Sequence, residues 1–186
     1  MRLMSVPGAT AARDPDHGAG DVTAVVVMGV AGSGKTTVGT ALAVALGWRF
    51  VDADDHHSPA NVAKMARGEA LDDDDRRPWL DELRGIIAGA VAGGGALVMA
   101  CSALKVAYRA RLAGPAAGGR VRFVHLAGPP ELFRARLAQR PGHYMKAAML
   151  DSQLATLEPP ADDALTIDAA QPVGTIVAQI RSVFRI

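Results

Sequence analysis

Gly29-Val30-Ala31-Gly32-Ser33-Gly34-Lys35-Thr36 reads G-x-x-x-x-G-K-[ST], the pattern of a phosphate-binding loop. The residue types suit that chemistry. Glycines let the chain curl, so that the backbone N–H groups from Gly29 and Ala31 through Gly32, Ser33 and Gly34 can turn toward phosphate oxygens. Lys35 carries a positive charge to the β- and γ-phosphates, and Thr36 offers a hydroxyl to Mg²⁺. Thr37 stands in the first turn of the helix that follows, whose N-terminal N–H groups aim at the same anion.

The flanks agree with this reading. Thr23-Ala24-Val25-Val26-Val27-Met28 is an apolar, β-branched run of buried-strand type that ends at Gly29. Thr37 to Leu46 reads as a helix stopped by Gly47. Further out, strand and helix patterns alternate. Strands are predicted at 48–52, 96–100, 120–126 and 164–168. Helices are predicted from Pro59 to Gly68, from Pro78 to about Val91, after Lys105, from Pro130 to Gln139, from Lys146 to Leu157, and from Gln171-Pro172 to Phe184. The alternation implies an α/β fold, a doubly wound parallel sheet of about five strands.

The chain has 186 residues, 49% of them apolar, enough for one domain with a sizeable core. No apolar run reaches the roughly 18 residues that a membrane span needs. Met1 to Asp21 has no apolar stretch of the secretory kind and is expected to be a flexible tail, with the domain spanning 22–186. The single cysteine, Cys101, excludes an intrachain disulfide and reads as a small buried filler. A net charge of +1 gives no electrostatic argument for nucleic acid.

Acidic and basic side chains gather where strands end, which in α/β sheets is the ligand edge. Asp52 and Asp54 follow the second strand; in an extended segment they share a side. One could hold Mg²⁺ through water and the other could accept a substrate hydroxyl and its proton. His56 and His57 beside them raise a metal site, without further His or Cys nearby at ligand spacing to complete it. The run Asp72-Asp73-Asp74-Asp75-Arg76-Arg77 reads as a loop before a helix with Pro78 at its first position. Its arginines could grip a carboxylate bidentately. Lys105 and Arg109, four apart, are expected on one helix face with Tyr108 beside them. Arg136 and Arg140 run into a glycine-containing break, as a lid closing on a triphosphate would want, with the lid at about 136–150.

Taken together, the segments resemble gluconokinases of the small P-loop type. The matching pieces are G-V-A-G-S-G-K-T (29–36), F-V-D-A-D-D-H-H (50–57), N-V-A-K-M-A-R-G (61–68), L-D-D-D-D-R-R-P-W-L (71–80), C-S-A-L-K-V-A-Y-R (101–109), R-L-A-Q-R-P-G-H-Y (136–144) and S-Q-L-A-T-L-E-P-P (152–160). The resemblance implies a nucleoside-kinase-like fold with a helical lid, similar to shikimate kinase. It implies ATP- and Mg²⁺-dependent phosphorylation of D-gluconate at its 6-hydroxyl, in the cytoplasm, by a homodimer. His56 and Lys146 depart from the family pattern.

On that resemblance Asp54 orients the 6-hydroxyl and accepts its proton, by analogy with shikimate kinase. Asp52 is the water-mediated Mg²⁺ partner. Lys35 and Arg140 neutralise charge on the transferring phosphoryl group. Arg136, with the loop around Gln171-Pro172, sandwiches the adenine. Arg76, Lys105 and Arg109 take the carboxylate end of the acceptor, and Asp52, Asp54 and His57 its polyol. A sibling kinase for shikimate or another sugar acid, and a P-loop ATP-binding switch, remain as alternatives.

Overall fold

Five short strands, the three inner ones largely apolar, form one parallel sheet, and the helices between them cover both of its faces. The computed structural model describes residues 22–115, 119–139 and 143–186, the side chains of 143–148 excepted. The strands are β1 (Ala24–Met28), β2 (Arg49–Asp52), β3 (Leu97–Ala100), β4 (Val121–Ala127) and β5 (Leu165–Asp168). The helices are α1 (Lys35–Leu46), α2 (Pro59–Ala66), α3 (Asp73–Gly93), α4 (Val106–Ala113), α5 (Pro130–Ala138), α6 (His143–Thr156) and α7 (Val173–Phe184). The strand order is β2-β3-β1-β4-β5, and every pairing is parallel. This is the expected doubly wound sheet.

β1 is central and wholly buried, which explains its unbroken apolar sequence. Its side chains alternate between two cores. Val25 and Val27 join Val38 and Leu42 of α1, Phe133 and Leu137 of α5, Leu150 of α6 and Ile176 and Ile180 of α7. Ala24, Val26 and Met28 join Trp79, Leu80, Leu83 and Ile87 of α3 and Tyr108 and Leu112 of α4. Strand order reverses around β1, between β3 and β4, and ligands of such sheets bind outside the carboxyl ends at that point. Asp52 is in register with Ala100, and Ala100 with Val27, so the ends of β2, β3 and β1 reach the same edge.

Two local expectations are corrected. α3 begins at Asp73, with Pro78 inside the helix rather than at its first position. Asp72 and Asp75 form a reciprocal capping box, each carboxylate accepting from the other's backbone N–H at 2.9 Å. An interior proline costs about 3 kcal/mol. Burying Leu80, Leu83 and Ile87 contributes roughly 1.5–3 kcal/mol each, so the helix holds. The second correction concerns Ala53–His56, a 3₁₀ turn rather than an extended segment. Asp52 caps that turn by accepting from the Asp54 N–H at 3.1 Å, so the two acids do not share one strand face. No helix among the described residues is long and apolar enough to cross a membrane. The expected tail, 1–21, lies outside the described residues, as does part of the expected lid.

Candidate active site

The loop after β1 makes a cradle that only small residues can line. At Gly32, where φ is +80°, a Cβ would sit 2.8 Å from the Phe133 carbonyl oxygen. At Gly29, φ +141°, it would sit 2.9 Å from Ser33 Oγ. Gly34 then caps α1 in the left-handed conformation, turning the helix N-terminus into the cradle. Ser33 Oγ is buried without a hydrogen-bond partner. An anion held by backbone N–H groups fits this concavity, so the residues suit the phosphates of a nucleotide.

Lys35 Nζ donates to the Val30 carbonyl at 3.1 Å, folding its charge back over the loop. Thr36 Oγ1 donates to Asp52 Oδ2 at 3.0 Å. A hydroxyl and a carboxylate in contact at a phosphate cradle are a donor set that suits Mg²⁺, which keeps several waters and takes few protein ligands. Among the described residues no cluster of three or more His, Cys, Asp or Glu forms a metal cage by itself. His56 pairs through Nδ1 with Glu82 of α3 at 2.8 Å.

Asp54 is exposed beside this pair. His57 stacks on Trp79, ring centroids 4.3 Å apart, and Trp79 Nε1 donates to the Ala53 carbonyl at 2.8 Å. The indole thus fixes the turn that carries Asp54. Burial lowers the pKa of His57, with Asp54 opposing and Arg76 reinforcing the shift. Burial pushes the Cys101 thiol up to about 12, so it stays protonated and is no nucleophile. Thr36 on Asp52 and Trp79 on the Ala53 carbonyl bring the phosphate loop, the β2 turn with Asp54 and α3 with Arg76 to one sheet edge.

Next to them lies a cleft of about 860 Å³, bordered by Leu71, Asp73, Arg76, Lys105, Tyr108 and Thr156. Lys105 Nζ donates to both oxygens of Asp73, at 2.7 and 2.9 Å, and the Tyr108 hydroxyl donates to Asp73 as well. The Lys105 hydrogen bonds, then that of Tyr108, hold the Asp73 carboxyl below its ordinary pKa. Arg76 Cζ lies 6.0 Å from the Tyr108 ring centroid. α2 is pinned alongside: Lys64 Nζ bonds Asp75 at 2.6 Å, and Asn61 Nδ2 bonds the Asp75 carbonyl at 2.9 Å.

Arg109 does not join Lys105 at the cleft. It is 2% exposed; Nε donates to Asp163 at 2.5 Å, and Nη1 donates to the carbonyls of Ala103, Leu104 and Glu158. Lys105 is the N-cap of α4, with extended backbone, so the four-residue helical spacing does not relate the two. Arg136 bridges the phosphate loop and the β5–α7 loop, donating to the Ser33 carbonyl at 3.2 Å and to the Ala169 carbonyl at 2.7 Å. Gln171 and Pro172 follow in that second loop, so these three expected nucleotide contacts come together. Arg140 lies outside the described residues.

Several neighbours of the site carry no local sequence signal of their role. Asp73 and Trp79 are two. Gln153 is a third; its Oε1 accepts from the Ala31 N–H at 2.6 Å. The S-Q-L-A-T-L-E-P-P stretch contains Gln153 but assigns it no role.

Comparison with known proteins agrees with this geometry. The model of a family described as AAA domain matches residues 25–160. A probable gluconokinase of Xenopus tropicalis is 44% identical over 84% of this chain and 90% of that protein. The gluconokinase of Gluconobacter oxydans is 48% identical over 75% of this chain and 77% of its own length. The crystal structure of a gluconokinase from Sinorhizobium meliloti superposes with a TM-score of 0.79, at 39% identity, covering 88% of this chain and 91% of that one. With identities at this level across most of each chain, and a P-loop cradle beside an acid-and-cation cleft, this chain belongs to the gluconokinase family.

Proposed function

We propose that this kinase transfers the terminal phosphoryl group of ATP to the 6-hydroxyl of D-gluconate, giving 6-phospho-D-gluconate and ADP. The observation that carries the reading is the hydrogen bond from Thr36 of the phosphate loop to Asp52, which sets the turn bearing Asp54 against that loop, beside a cleft lined by Arg76, Lys105 and Tyr108. Gluconate is a small polyol with one carboxylate. It wants cations at one end and hydrogen-bond acceptors along the chain, and the cleft offers both.

ATP supplies the phosphoryl group, and Mg²⁺ supplies countercharge on the phosphates. The N–H groups of Gly32 and Gly34 and those of the first turn of α1, Lys35, Thr36 and Thr37, hold the phosphates in place, while those of Gly29, Ala31 and Ser33 donate to Ser102, Gln153 and Val30. Lys35, and Arg140 by resemblance, offset charge that develops on the transferred group. Thr36 and Asp52 would hold the metal. Asp54 orients the acceptor hydroxyl and takes its proton. Phosphoryl transfer runs through a loose transition state, so orientation and charge compensation count for more than base strength. Arg76 and Lys105 bind the acceptor carboxylate, and His57, neutral near pH 7, hydrogen-bonds to the polyol. Arg136 with Gln171 and Pro172 flanks the adenine. Residues 22–186 act as one kinase domain with its lid around 136–150, and the family resemblance carries the expectation of a cytoplasmic homodimer.

The test is coupled ADP release with Mg·ATP, comparing D-gluconate with shikimate, other sugar acids, glucose and no acceptor. Release that requires gluconate, with 6-phosphogluconate as product, is the expected result. Release with a different acceptor moves the substrate and keeps the kinase. Acceptor-independent hydrolysis alone removes the reading.

A further inference from the structure

α6 reaches two places at once. Ser152, Ala155 and Thr156 border the acceptor cleft. Gln153, on the same helix, touches the phosphate loop instead, its Oε1 2.6 Å from the Ala31 nitrogen. A backbone N–H only donates, so the atom facing it must be the carboxamide oxygen, and this fixes which way round the amide stands. The NH₂ group is then carried on the far side of a planar group whose oxygen is already tethered to the loop. Among the described residues that NH₂ has no hydrogen-bond partner. Ser33 Oγ, in the same loop, is buried and unpartnered, whereas Gln153 is half-buried. A buried hydroxyl and a half-buried amide at the phosphate cradle are thus both open to a bound anion.

The contact is not needed to hold α6 in place. Leu150 of α6 is fully buried in the core. Beyond the helix, the Glu158 N–H donates to the Leu104 carbonyl at 3.0 Å, and Glu158 Oε2 accepts from the Val106 N–H at 2.6 Å. A polar side chain placed on the loop in addition to these anchors calls for a purpose beyond packing.

We propose that Gln153 reads the terminal phosphoryl group of the bound nucleotide: its oxygen stays on Ala31 while its NH₂ donates to that group. The inference rests on the assignment of the loop as the ATP site. Because Gln153 shares a helix with Ser152, Ala155 and Thr156, a triphosphate adds a second tie between the helix that borders the acceptor cleft and the nucleotide site, and a diphosphate does not. The side chain thereby links nucleotide state to the shape of the acceptor pocket.

The test compares the dissociation constants of Mg·AMP-PNP and Mg·ADP by calorimetry for the wild type, Gln153→Glu and Gln153→Met, with thermal melting of each. Glu keeps an acceptor for the Ala31 N–H but removes the donors and sets a negative charge against the phosphate. Met keeps the volume and removes both. The expected result is a wild-type preference for Mg·AMP-PNP that falls roughly tenfold or more in both variants, the loss of a hydrogen bond to a charged group, while Mg·ADP binding changes less than about twofold. An unchanged preference in Gln153→Glu, with a lowered melting temperature in Gln153→Met alone, makes the contact a brace and overturns the proposal. So does a wild type without any preference between the two nucleotides. The readout needs no acceptor. A protein that keeps the nucleotide preference but phosphorylates no gluconate overturns the functional reading and leaves this one standing.

Discussion

Thr36 Oγ1 donates to Asp52 Oδ2 at 3.0 Å, joining the last residue of the phosphate loop to the end of β2. A hydroxyl that donates to a carboxylate keeps its lone pairs available to a cation, and the carboxylate can accept from the cation's waters. Asp52→Asn removes the charge and keeps the shape. The expected outcome is a Mg²⁺ requirement raised about 10–100-fold, the range for losing a group that supports a metal ligand, with the melting temperature nearly unchanged. Titrating Mg²⁺ at saturating ATP measures it. An unchanged Mg²⁺ requirement separates Asp52 from the metal.

Asp54 is held for its role by the turn it occupies. Its backbone N–H donates to Asp52, and the turn is fixed by the indole of Trp79 on the Ala53 carbonyl. Asp54→Asn is expected to lower kcat by at least about a hundredfold, the low end for general acid–base work. A rise confined to the acceptor KM makes Asp54 a binding group only. Lys35→Ala is expected to abolish turnover while the protein still folds, checked by circular dichroism alongside the coupled assay.

Arg109 is a structural cation. Replacing it with Met leaves the Ala103, Leu104 and Glu158 carbonyls without their shared donor and frees Asp163. Hydrogen bonds from a charged donor contribute about 1.5–3 kcal/mol, and several share this one nitrogen, so a loss on the order of 3 kcal/mol is expected. At about 2–4 °C per kcal/mol for a domain of this size, the melting temperature falls by roughly 6–12 °C. Arg76→Met, by contrast, is expected to raise the acceptor KM with little change in melting. The two variants, measured side by side, separate the anchor from the binding cation. A stable Arg109→Met protein with a raised acceptor KM reverses the assignment.

Much of this was legible in the sequence because it is local. The phosphate loop is eight consecutive residues with a strand before and a helix after, and the three inner strands β1, β3 and β4 announce themselves by largely apolar runs. What escaped depends on geometry at element ends or on distant contacts. Pro78 reads as a first-turn proline, yet Asp72 and Asp75 had already started the helix. Lys105 and Arg109 have helical spacing, but the helix begins only at Val106, so one points to the cleft and the other into the core. The turn at Ala53–His56 is set by the Asp52 cap and by Trp79, which no alternation pattern reveals. Gln153 meets Ala31 across 122 residues, and only the folded chain brings them together.

His57 gives a test by pH. Its ring stacks on Trp79, its Nδ1 is buried without a partner, and burial lowers its pKa from 6.5. His125 in β4 is shifted the same way, by burial and then by Arg109. A histidine whose charged form is disfavoured by folding binds fewer protons folded than unfolded. Stability therefore rises with pH through the window from the lowered folded value up to about 6.5, and is lost as pH falls through it. Asp73, Asp75 and Asp81, whose pKa values their ion pairs lower from 3.8, lose their contribution only at still more acid pH. Urea unfolding at pH 5 and pH 7 isolates the histidines from these carboxylates. His57→Phe keeps the stack on Trp79, removes the proton site and fills the place of the unpartnered nitrogen. The expected outcome is equal or greater stability at pH 7, a smaller difference between pH 7 and pH 5, and a raised acceptor KM from the lost hydrogen bond to the polyol. An unchanged pH difference shows that His57 does not contribute to it. An unchanged acceptor KM removes His57 from the substrate site.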